Sequence, residues 1–252
     1  MQARIKPQPS FVQLFDLTLI QLSNVRWVWR SMLITGTLAP CMSTVALGIF
    51  AQSSGTETLA YIFGGNIVLA LMFENLHSVC SNFSYMKTMG TLNYFATLPI
   101  QRSLLILSTV LSFMLLSLPA VIAVLILGSY FLKIGLQFHP LAFLAVPLAI
   151  LSVSAIGAFI GTTARSPQQA NSFSTLFTFL LLGMGPVIIP PQRLPGWLVA
   201  LGWISPSSYA ASAIRQVFLG PVTDRLALDL GFLAFFSLAA FWIVDRRMDW
   251  RQ

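Results

Sequence analysis

Charged residues are scarce in this 252-residue chain, because Asp, Glu, Lys and Arg make up only 8% of it while 56% of the residues are hydrophobic. A soluble domain carries about 25% charged residues, so a chain this apolar cannot cover a water-facing surface, and its solvent is a lipid bilayer. The net charge is +7. The cations lie at the ends of apolar runs, next to headgroups, and not in the single-face stripe that binds nucleic acid.

Several motifs of enzymes are also absent from the sequence. There is no Gly-x4-Gly-Lys-Ser/Thr phosphate loop, so the chain cannot bind ATP in that way. There is no metal-ligand cluster and no Gly-x-Ser-x-Gly elbow. The two cysteines, Cys41 and Cys80, lie in separate apolar runs and are interpreted as small buried hydrophobes. We therefore predict no catalytic residue, no metal and no cofactor bound by this chain.

Long apolar segments predict six membrane-spanning helices. A helix needs about 20 mostly apolar residues to cross about 30 Å of hydrocarbon, and irregular backbone is too costly in lipid. The predicted spans are residues 31–50, 58–80, 103–131, 140–163, 168–190 and 227–244. The predicted fold is an all-α membrane protein, with residues 1–252 forming one membrane domain.

The uncharged stretch 194–214 is also about one crossing long, so seven spans are the alternative. Pro195, Gly196, Pro206 and the serines around them favour a re-entrant segment of two short helical pieces between spans five and six. With a cytoplasmic N-terminus, six spans leave ten Lys and Arg residues inside and four outside, whereas seven spans give eight and six. The positive-inside rule favours six spans in the inner (plasma) membrane, with both termini in the cytoplasm.

The segment before the first span predicts an amphipathic helix over residues 10–29. Its apolar positions recur at helical spacing: Phe11, Phe15, Thr18, Leu22, Val25 and Trp29. The polar residues fall largely on the opposite side: Gln13, Asp16, Gln21 and Asn24. Such a helix lies on the cytoplasmic leaflet, either as a juxtamembrane anchor or with a role in transport.

Two ionisable residues, Glu74 and His77, lie inside the second predicted span. Being three residues apart, they are expected to share a helix face, about one to two turns from the cytoplasmic end of the span. An ionisable group within a span is a functional hypothesis by default. Three roles are consistent with this position: a structural or gating ion pair, a proton relay, and an incidental place at the interface.

The fourth predicted span contains the pattern Gly-x3-Gly, formed by Gly157 and Gly161. Small residues at this spacing allow two helices to approach closely. The pattern therefore predicts a packing face, either within the chain or between subunits.

The loop after the second span, residues 85–102, predicts a short cytoplasmic helix over 91–98. Gly90 can end one helix, Thr91 can cap the next, and Pro99 prevents a straight continuation. The helix carries an apolar face and is flanked by two cations: Leu92, Tyr94, Phe95 and Leu98, with Lys87 and Arg102. It is either a surface helix packed on headgroups or a knob that docks into a soluble partner.

Three stretches of the chain resemble a known family, the type-2 permeases of ABC transporters. The patterns K-x2-G-T-L and T-L-P-I-x-R, between Lys87 and Arg102, resemble the loop that contains the family's coupling helix. GAFIGTTARSPQQANSFS, residues 157–174, resembles the loop between its fourth and fifth spans. The third stretch resembles the family signature at Leu194, Pro195, Trp197, Leu198, Pro206, Tyr209 and Arg215, with Ser207 and Ser208 where the family often has Leu-Thr.

This resemblance implies a permease without its own ATPase. It would assemble with a second permease, either another copy or a paralogue, and with a dimer of cytosolic ABC ATPase subunits that bind ATP and Mg. It implies a contact with the ATPase at Lys87, Gly90, Thr91, Leu92, Tyr94, Phe95, Pro99 and Arg102. The signature residues would form an outer gate. The expected cargo is amphipathic or lipid-like: a drug, a lipid or a lipid-linked glycan. An ion-coupled carrier and an intramembrane lipid-modifying enzyme are the alternatives.

Overall fold

The computed structural model describes residues 9–25, 29–51 and 55–247. All regular secondary structure in these three ranges is helical. The α-helices are α1 (Ser10–Val25), α2 (Trp29–Ala51), α3 (Thr56–Leu71), α4 (Ser78–Thr88), α5 (Thr91–Thr97), α6 (Arg102–Leu132), α7 (Ala142–Thr163), α8 (Pro167–Gly183), α9 (Gly196–Gly202), α10 (Pro206–Leu219) and α11 (Arg225–Arg247). A π-helical turn, Met72–His77, joins α3 to α4, and a 3-10 turn covers Pro191–Arg193. The prediction of an all-α fold is confirmed.

Four helical segments of the described chain are long and apolar enough to cross a membrane. They match the second, third, fourth and sixth predicted spans: Glu57–Thr88, Arg102–Leu132, Ala142–Thr163 and Arg225–Arg247. In the region of the first predicted span, α2 contains a shorter apolar segment, Gly36–Ile49. α8 has 17 residues, about 25 Å at 1.5 Å per residue, somewhat less than the hydrocarbon thickness of about 30 Å. The count of six spans therefore stays a prediction.

The helix in the region of the fifth span ends earlier than predicted. The expected span covered 168–190, but α8 ends at Gly183. The backbone then turns through Gly185, whose φ of +114° suits glycine, and Pro186 cannot donate the hydrogen bond that a continuing helix needs. Residues 184–190 therefore form an irregular connection.

The stretch 194–214 is broken into two helices and does not form one continuous helix. α9 has 7 residues and α10 has 14, about 10 Å and 21 Å at 1.5 Å per residue. Residues 203–205 separate them, and Pro206 starts α10. Proline suits this first helical position because its missing N–H is not needed there.

α7 lies at the centre of the bundle, where it contacts α4, α6, α8, α10, α11 and the π-helical turn. Its buried surface is rich in small side chains, which allow this close packing: Ala145, Ala149, Ser152, Ser154, Ala155, Gly157, Ala158 and Gly161. The largest buried cluster joins α3, α7, α10 and α11. A second cluster joins α1, α4, α5 and α6.

The orientation of α1 differs from the amphipathic prediction. Phe11 and Phe15 are exposed, whereas Gln13 and Gln21 are buried. The Gln21 side-chain nitrogen donates to the Thr109 hydroxyl of α6 at 3.2 Å. Gln13, Leu17 and Gln21 thus face the bundle, whereas Asp16 and Asn24 of the predicted polar side are exposed together with the two phenylalanines. The position of this helix on the cytoplasmic leaflet stays a prediction.

Candidate functional site

Gly90 separates α4 from α5. Its φ of 71° and ψ of 6° are left-handed, a conformation that glycine adopts without steric cost. Gly90 is also the N-cap of α5, which begins at Thr91 and has no side-chain cap. The predicted break at Gly90 and the short helix are therefore confirmed, while the capping role predicted for Thr91 is wrong. Leu98 is extended, as expected for the residue before Pro99.

The side chains of α5 divide between the bundle and the exterior. Leu92 and Phe95 are buried in the cluster with α4 and α6, so they cannot contact a partner directly. Tyr94 is 62% exposed. We call the exposed apolar side chains of this region the α4–α5 surface: Tyr85, Met89, Tyr94 and Leu98. This surface is accessible, while Leu92 and Phe95 fix α5 to the helices beneath it.

Lys87 connects this loop to the end of α7. Its ammonium group donates to the carbonyl oxygens of Thr162 and Ala164, both at 3.2 Å. Thr162 is in the last turn of α7 and Ala164 is its C-cap, where backbone acceptors lack partners within the helix. The cation also suits the negative end of the helix dipole. Lys87 therefore packs inward as a clamp and does not project towards a partner.

The loop from α7 to α8 has its own caps. The Ser166 hydroxyl accepts from the Gln169 backbone N–H at 3.2 Å, and the Gln169 side-chain oxygen accepts from the Arg165 N–H at 2.8 Å. Pro167 occupies the first turn of α8, as is common at helix starts. The hydrogen bonds of Lys87 to Thr162 and Ala164 bring two stretches of the family resemblance, residues 87–102 and 157–174, into direct contact.

The second predicted span forms the uninterrupted helical segment Glu57–Thr88 and packs closely on α7. A Cβ atom at Gly157 would clash with the carbonyl oxygen of Leu76, and one at Gly161 would clash with the carbonyl oxygen of Cys80. The predicted packing face is confirmed, and it lies within the chain.

Glu74 and His77 do not form an ion pair with each other, which was one of the three roles considered. His77 Nδ1 lies 2.8 Å from the Ser174 hydroxyl of α8, whereas the Glu74 carboxylate lies against Gly36 of α2. Both residues belong to the π-helical turn, whose wider i→i+5 geometry rotates residues three apart away from each other. The segment Glu57–Thr88 also extends well beyond residue 80. Glu74 and His77 therefore lie near the middle of this helical segment, and their place relative to the membrane surface stays a prediction.

A polar cluster surrounds Arg215 of α10. It lies at the end of the segment Glu57–Thr88 that is far from the α4–α5 surface. The Arg215 guanidinium stacks on the Tyr61 ring at 3.9 Å from the centroid, and its Nη1 donates to the Val187 carbonyl at 3.2 Å. A Cβ at Gly64 would clash with the Arg215 side chain, so Gly64 leaves the space that the arginine occupies.

Asp229 completes this cluster from α11. Its side chain is fully buried, accepts from the Gln216 amide at 3.1 Å and lies 3.8 Å from Arg225. The sequence analysis missed Tyr61, Gln216 and Asp229. Arg225 and Asp229 are four residues apart, the spacing of an ion pair on a helix face, and this signal could have identified Asp229 in its apolar run.

Aromatic side chains border the same region, which contains an open cavity of about 370 Å³. The Tyr209 hydroxyl donates to the Trp203 carbonyl at 2.8 Å, and its ring stacks on Phe232 with centroids 3.9 Å apart. The cavity lining includes Tyr61, Trp203, Tyr209, Ser212, Arg215 and Gln216. Two signature residues, Tyr209 and Arg215, are thus brought together at this cavity.

The remaining signature residues shape α9 and α10. Pro195 is the N-cap of α9 and Pro206 starts α10. Trp197 is 65% exposed, while Leu194 and Leu198 are half-buried. None of these five residues lines the cavity.

The serines of the signature region cap α8. The Ser207 hydroxyl donates to the Leu181 carbonyl at 2.6 Å, and the Ser208 hydroxyl donates to the Met184 carbonyl at 3.2 Å. Ser205 lies 2.7 Å from Ser207, oxygen to oxygen. These hydroxyls serve carbonyls that have no partner at a helix C-terminus, so α10 is locked onto the end of α8.

Comparison with known proteins places this arrangement in a family. The family model of the ABC-2 type transporter matches residues 14–219. The chain is also 28% identical over 202 residues to the daunorubicin resistance ABC transporter permease protein DrrB1 of Streptomyces coeruleorubidus, covering 75% of this chain and 69% of that protein. The resemblance seen in the sequence is confirmed. Since the family model spans most of the chain, the protein belongs to the ABC-2 type transporter family.

Proposed function

We propose that this chain is the permease subunit of an ABC exporter, which moves an amphipathic or lipid-like substrate across the inner membrane. A separate cytosolic pair of ATPase subunits binds ATP and Mg and supplies the energy. A second permease, identical or paralogous, completes the assembly. The relative's printed name, a daunorubicin resistance permease, favours a drug among the three cargo classes.

The contacts of α5 are the observation that carries this proposal. The exposed α4–α5 surface offers a docking site, while Leu92 and Phe95 fix α5 to α4 and α6. Lys87 ties the same loop to α7. Closure of the ATPase pair would therefore push on three helices at once, and rigid-body motion of packed helices can switch a pathway between two states.

In the proposed topology α2, the segment Glu57–Thr88, α6, α7, α8 and α11 are the six spans, and both termini are cytoplasmic. α9 and α10 form the re-entrant segment on the outer side. The exposed Trp197 and Trp203 suit the headgroup level, where tryptophan is enriched. The cavity around Arg215 and Tyr209 would lie at the outer gate.

Tyr94→Ala tests the coupling contact, with Tyr130→Ala as the matched control. Tyr94 is 62% exposed on α5 and Tyr130 is 77% exposed near the far end of α6, so neither change opens a core cavity. In proteoliposomes containing the permease and its ATPase, Tyr94→Ala should lower the substrate moved per ATP hydrolysed, and Tyr130→Ala should not. Unchanged coupling in Tyr94→Ala would contradict the docking role.

The same vesicles separate this function from the alternatives. Transport driven by a proton gradient without ATPase would establish an ion-coupled carrier. Chemical conversion of lipid by the purified chain would establish an enzyme.

Cysteine labelling tests the topology. After Cys41 and Cys80 are replaced by alanine, single cysteines are placed at the exposed positions Thr97 and Val222. A membrane-impermeant maleimide should label Val222→Cys on intact cells and Thr97→Cys only after the membrane is opened. The reverse pattern would refute the proposed orientation.

A further inference from the structure

Arg215 is a half-buried cation that forms no ion pair with any residue of the described part of the chain. Its guanidinium stacks on the Tyr61 ring, 3.9 Å from the centroid, and donates to the Val187 carbonyl. A guanidinium carries several N–H donors in one plane, and stacking covers a face of this plane but leaves its edges free. Since Arg215 also lines the open cavity of about 370 Å³, its remaining donors are available to a molecule inside it.

Arg225 brings a second positive charge to the same cavity. Its side chain is 60% exposed, and its Nε lies 3.8 Å from the Asp229 carboxylate, so this acid is already matched by a cation. Among the described residues that line the cavity, the charged ones are Arg215 and Arg225, whereas Asp224 and Asp229 line an adjoining cavity. The cavity around Arg215 therefore favours an anion.

This cavity lies at a membrane surface. Arg225 begins α11, and the segment Arg225–Arg247 is long and apolar enough to cross a membrane. The end of such a span lies at the level of the lipid headgroups. Trp203 and Tyr209 also line the cavity, and these two residue types are enriched at the same level. The anion that is available there is the phosphate group of a lipid.

The adjoining cavity extends this site along α11. The two cavities share Trp203, Tyr209 and Arg225 in their linings, and the second, mainly apolar one is also lined by Leu228 and Phe232. Leu228 is 73% exposed, so its side chain can contact an acyl chain directly. A free phosphate ester would leave this apolar surface uncovered, whereas a phospholipid would cover it.

The size of the first cavity also suits a lipid headgroup, because small-molecule sites measure about 300–1,000 Å³ and this one is near the lower limit. Guanidinium groups match the geometry of phosphate oxygens and can bind them through two parallel hydrogen bonds. We propose that this cavity binds the phosphate group of a phospholipid, which accepts hydrogen bonds from Arg215 and Arg225 while an acyl chain lies along Leu228 and Phe232. The inference goes beyond the export function and does not depend on it, since the site holds a lipid whether or not the chain moves a substrate.

Trp203 can report binding at this site, because it lines both cavities. In the full chain, purified in detergent, every other tryptophan is replaced by phenylalanine. Phosphatidic acid with dibrominated acyl chains, which quench tryptophan fluorescence on contact, is then added at a low mole fraction. Quenching should saturate, with a midpoint about tenfold or more below that of the matched dibrominated diacylglycerol, which lacks only the phosphate.

Substitution of the two arginines tests their role. Arg215→Gln and Arg225→Gln should each raise the midpoint for phosphatidic acid about tenfold or more, the size expected when a hydrogen bond to a charged group is lost. The matched control is Arg193→Gln, since Arg193 is exposed in the 3-10 turn before α9 and lines neither cavity; its midpoint should stay unchanged. Quenching by the diacylglycerol should be the same in all these proteins, which checks that the surroundings of Trp203 stay folded.

Equal midpoints for phosphatidic acid and diacylglycerol would overturn the inference, and so would an unchanged midpoint in either arginine variant. Glycerol 3-phosphate, the same headgroup without acyl chains, separates a lipid site from a site for free phosphate esters. At the same concentration as phosphatidic acid it should not relieve the quenching, and relief would overturn the assignment to a lipid. Because these measurements contain neither ATP nor ATPase, their result is independent of the transport assay.

Discussion

The contact between α7 and the segment Glu57–Thr88 can be tested by adding one methyl group. In Gly157→Ala the new Cβ would clash with the Leu76 carbonyl oxygen and lie 3.1 Å from two further Leu76 backbone atoms. A backbone atom has no alternative rotamer that would relieve the clash, as a flexible side chain has. The two helices must therefore move apart. Overpacking of this kind costs about 1–3 kcal/mol.

Gly231→Ala is the matched control on α11, because a Cβ at Gly231 meets nothing within 4 Å. Both substitutions gain the helix propensity of alanine over glycine, about 0.8–1.0 kcal/mol, so this term cancels when the two variants are compared. The difference between them is the clash. At about 2–4 °C per kcal/mol for a chain of this size, Gly157→Ala should unfold about 2–12 °C below Gly231→Ala.

Cys80 provides the assay. It is fully buried, and its backbone carbonyl faces Gly161 on the same contact. With Cys41 replaced by alanine, a thiol-reactive fluorophore added during heating in detergent reports the opening of this interface through Cys80. Equal midpoints for Gly157→Ala and Gly231→Ala would refute the inference that these helices pack backbone to backbone.

Two further predictions concern the links between helices. Ser207→Ala removes the 2.6 Å hydrogen bond to Leu181. In thermal unfolding it should destabilise the protein by about 0.6 kcal/mol, and by no more than about 1.7 kcal/mol, the average and the largest values for such bonds in membranes. Ser172→Ala, at an exposed position of α8, should not. Lys87→Met removes both hydrogen bonds to the end of α7 and should speed amide hydrogen exchange there, while Lys133→Met should leave it unchanged. Unaltered exchange in Lys87→Met would show that the clamp is absent in solution.

The parts of the fold that the sequence predicted well depend on local chemistry. A long apolar segment indicates a helix in lipid wherever it occurs in the sequence. Gly90 ends one helix and precedes the next through its own φ and ψ. The Gly-x3-Gly pattern likewise indicates close approach without naming the partner. In each case the necessary information is contained in a few adjacent residues.

The errors concern properties that depend on tertiary packing. The amphipathic pattern of α1 shows two faces but not which of them meets the bundle, and Gln21 turned out to face inward. The π-helical turn has no visible sequence signature, so the separation of Glu74 from His77 was not predictable. Asp229 was overlooked because a single acid hardly alters the apolar character of its span, although in the fold it accepts from Gln216 and lies 3.8 Å from Arg225.

One helical segment connects the α4–α5 surface with the cavity at the proposed outer gate. Lys87, beside the α4–α5 surface, and Tyr61, under Arg215, belong to the same segment and are separated by about 39 Å at 1.5 Å per residue. Its middle carries the π-helical turn and Glu74, and α7 supports it through Gly157 and Gly161. A push on the loop can therefore reach the cavity either as a tilt of the whole rod or as a change at the turn, where the helical ladder is already irregular. In both cases the motion passes through the π-helical turn, which contacts α2, α6, α7 and α8 and would pass it on to those helices.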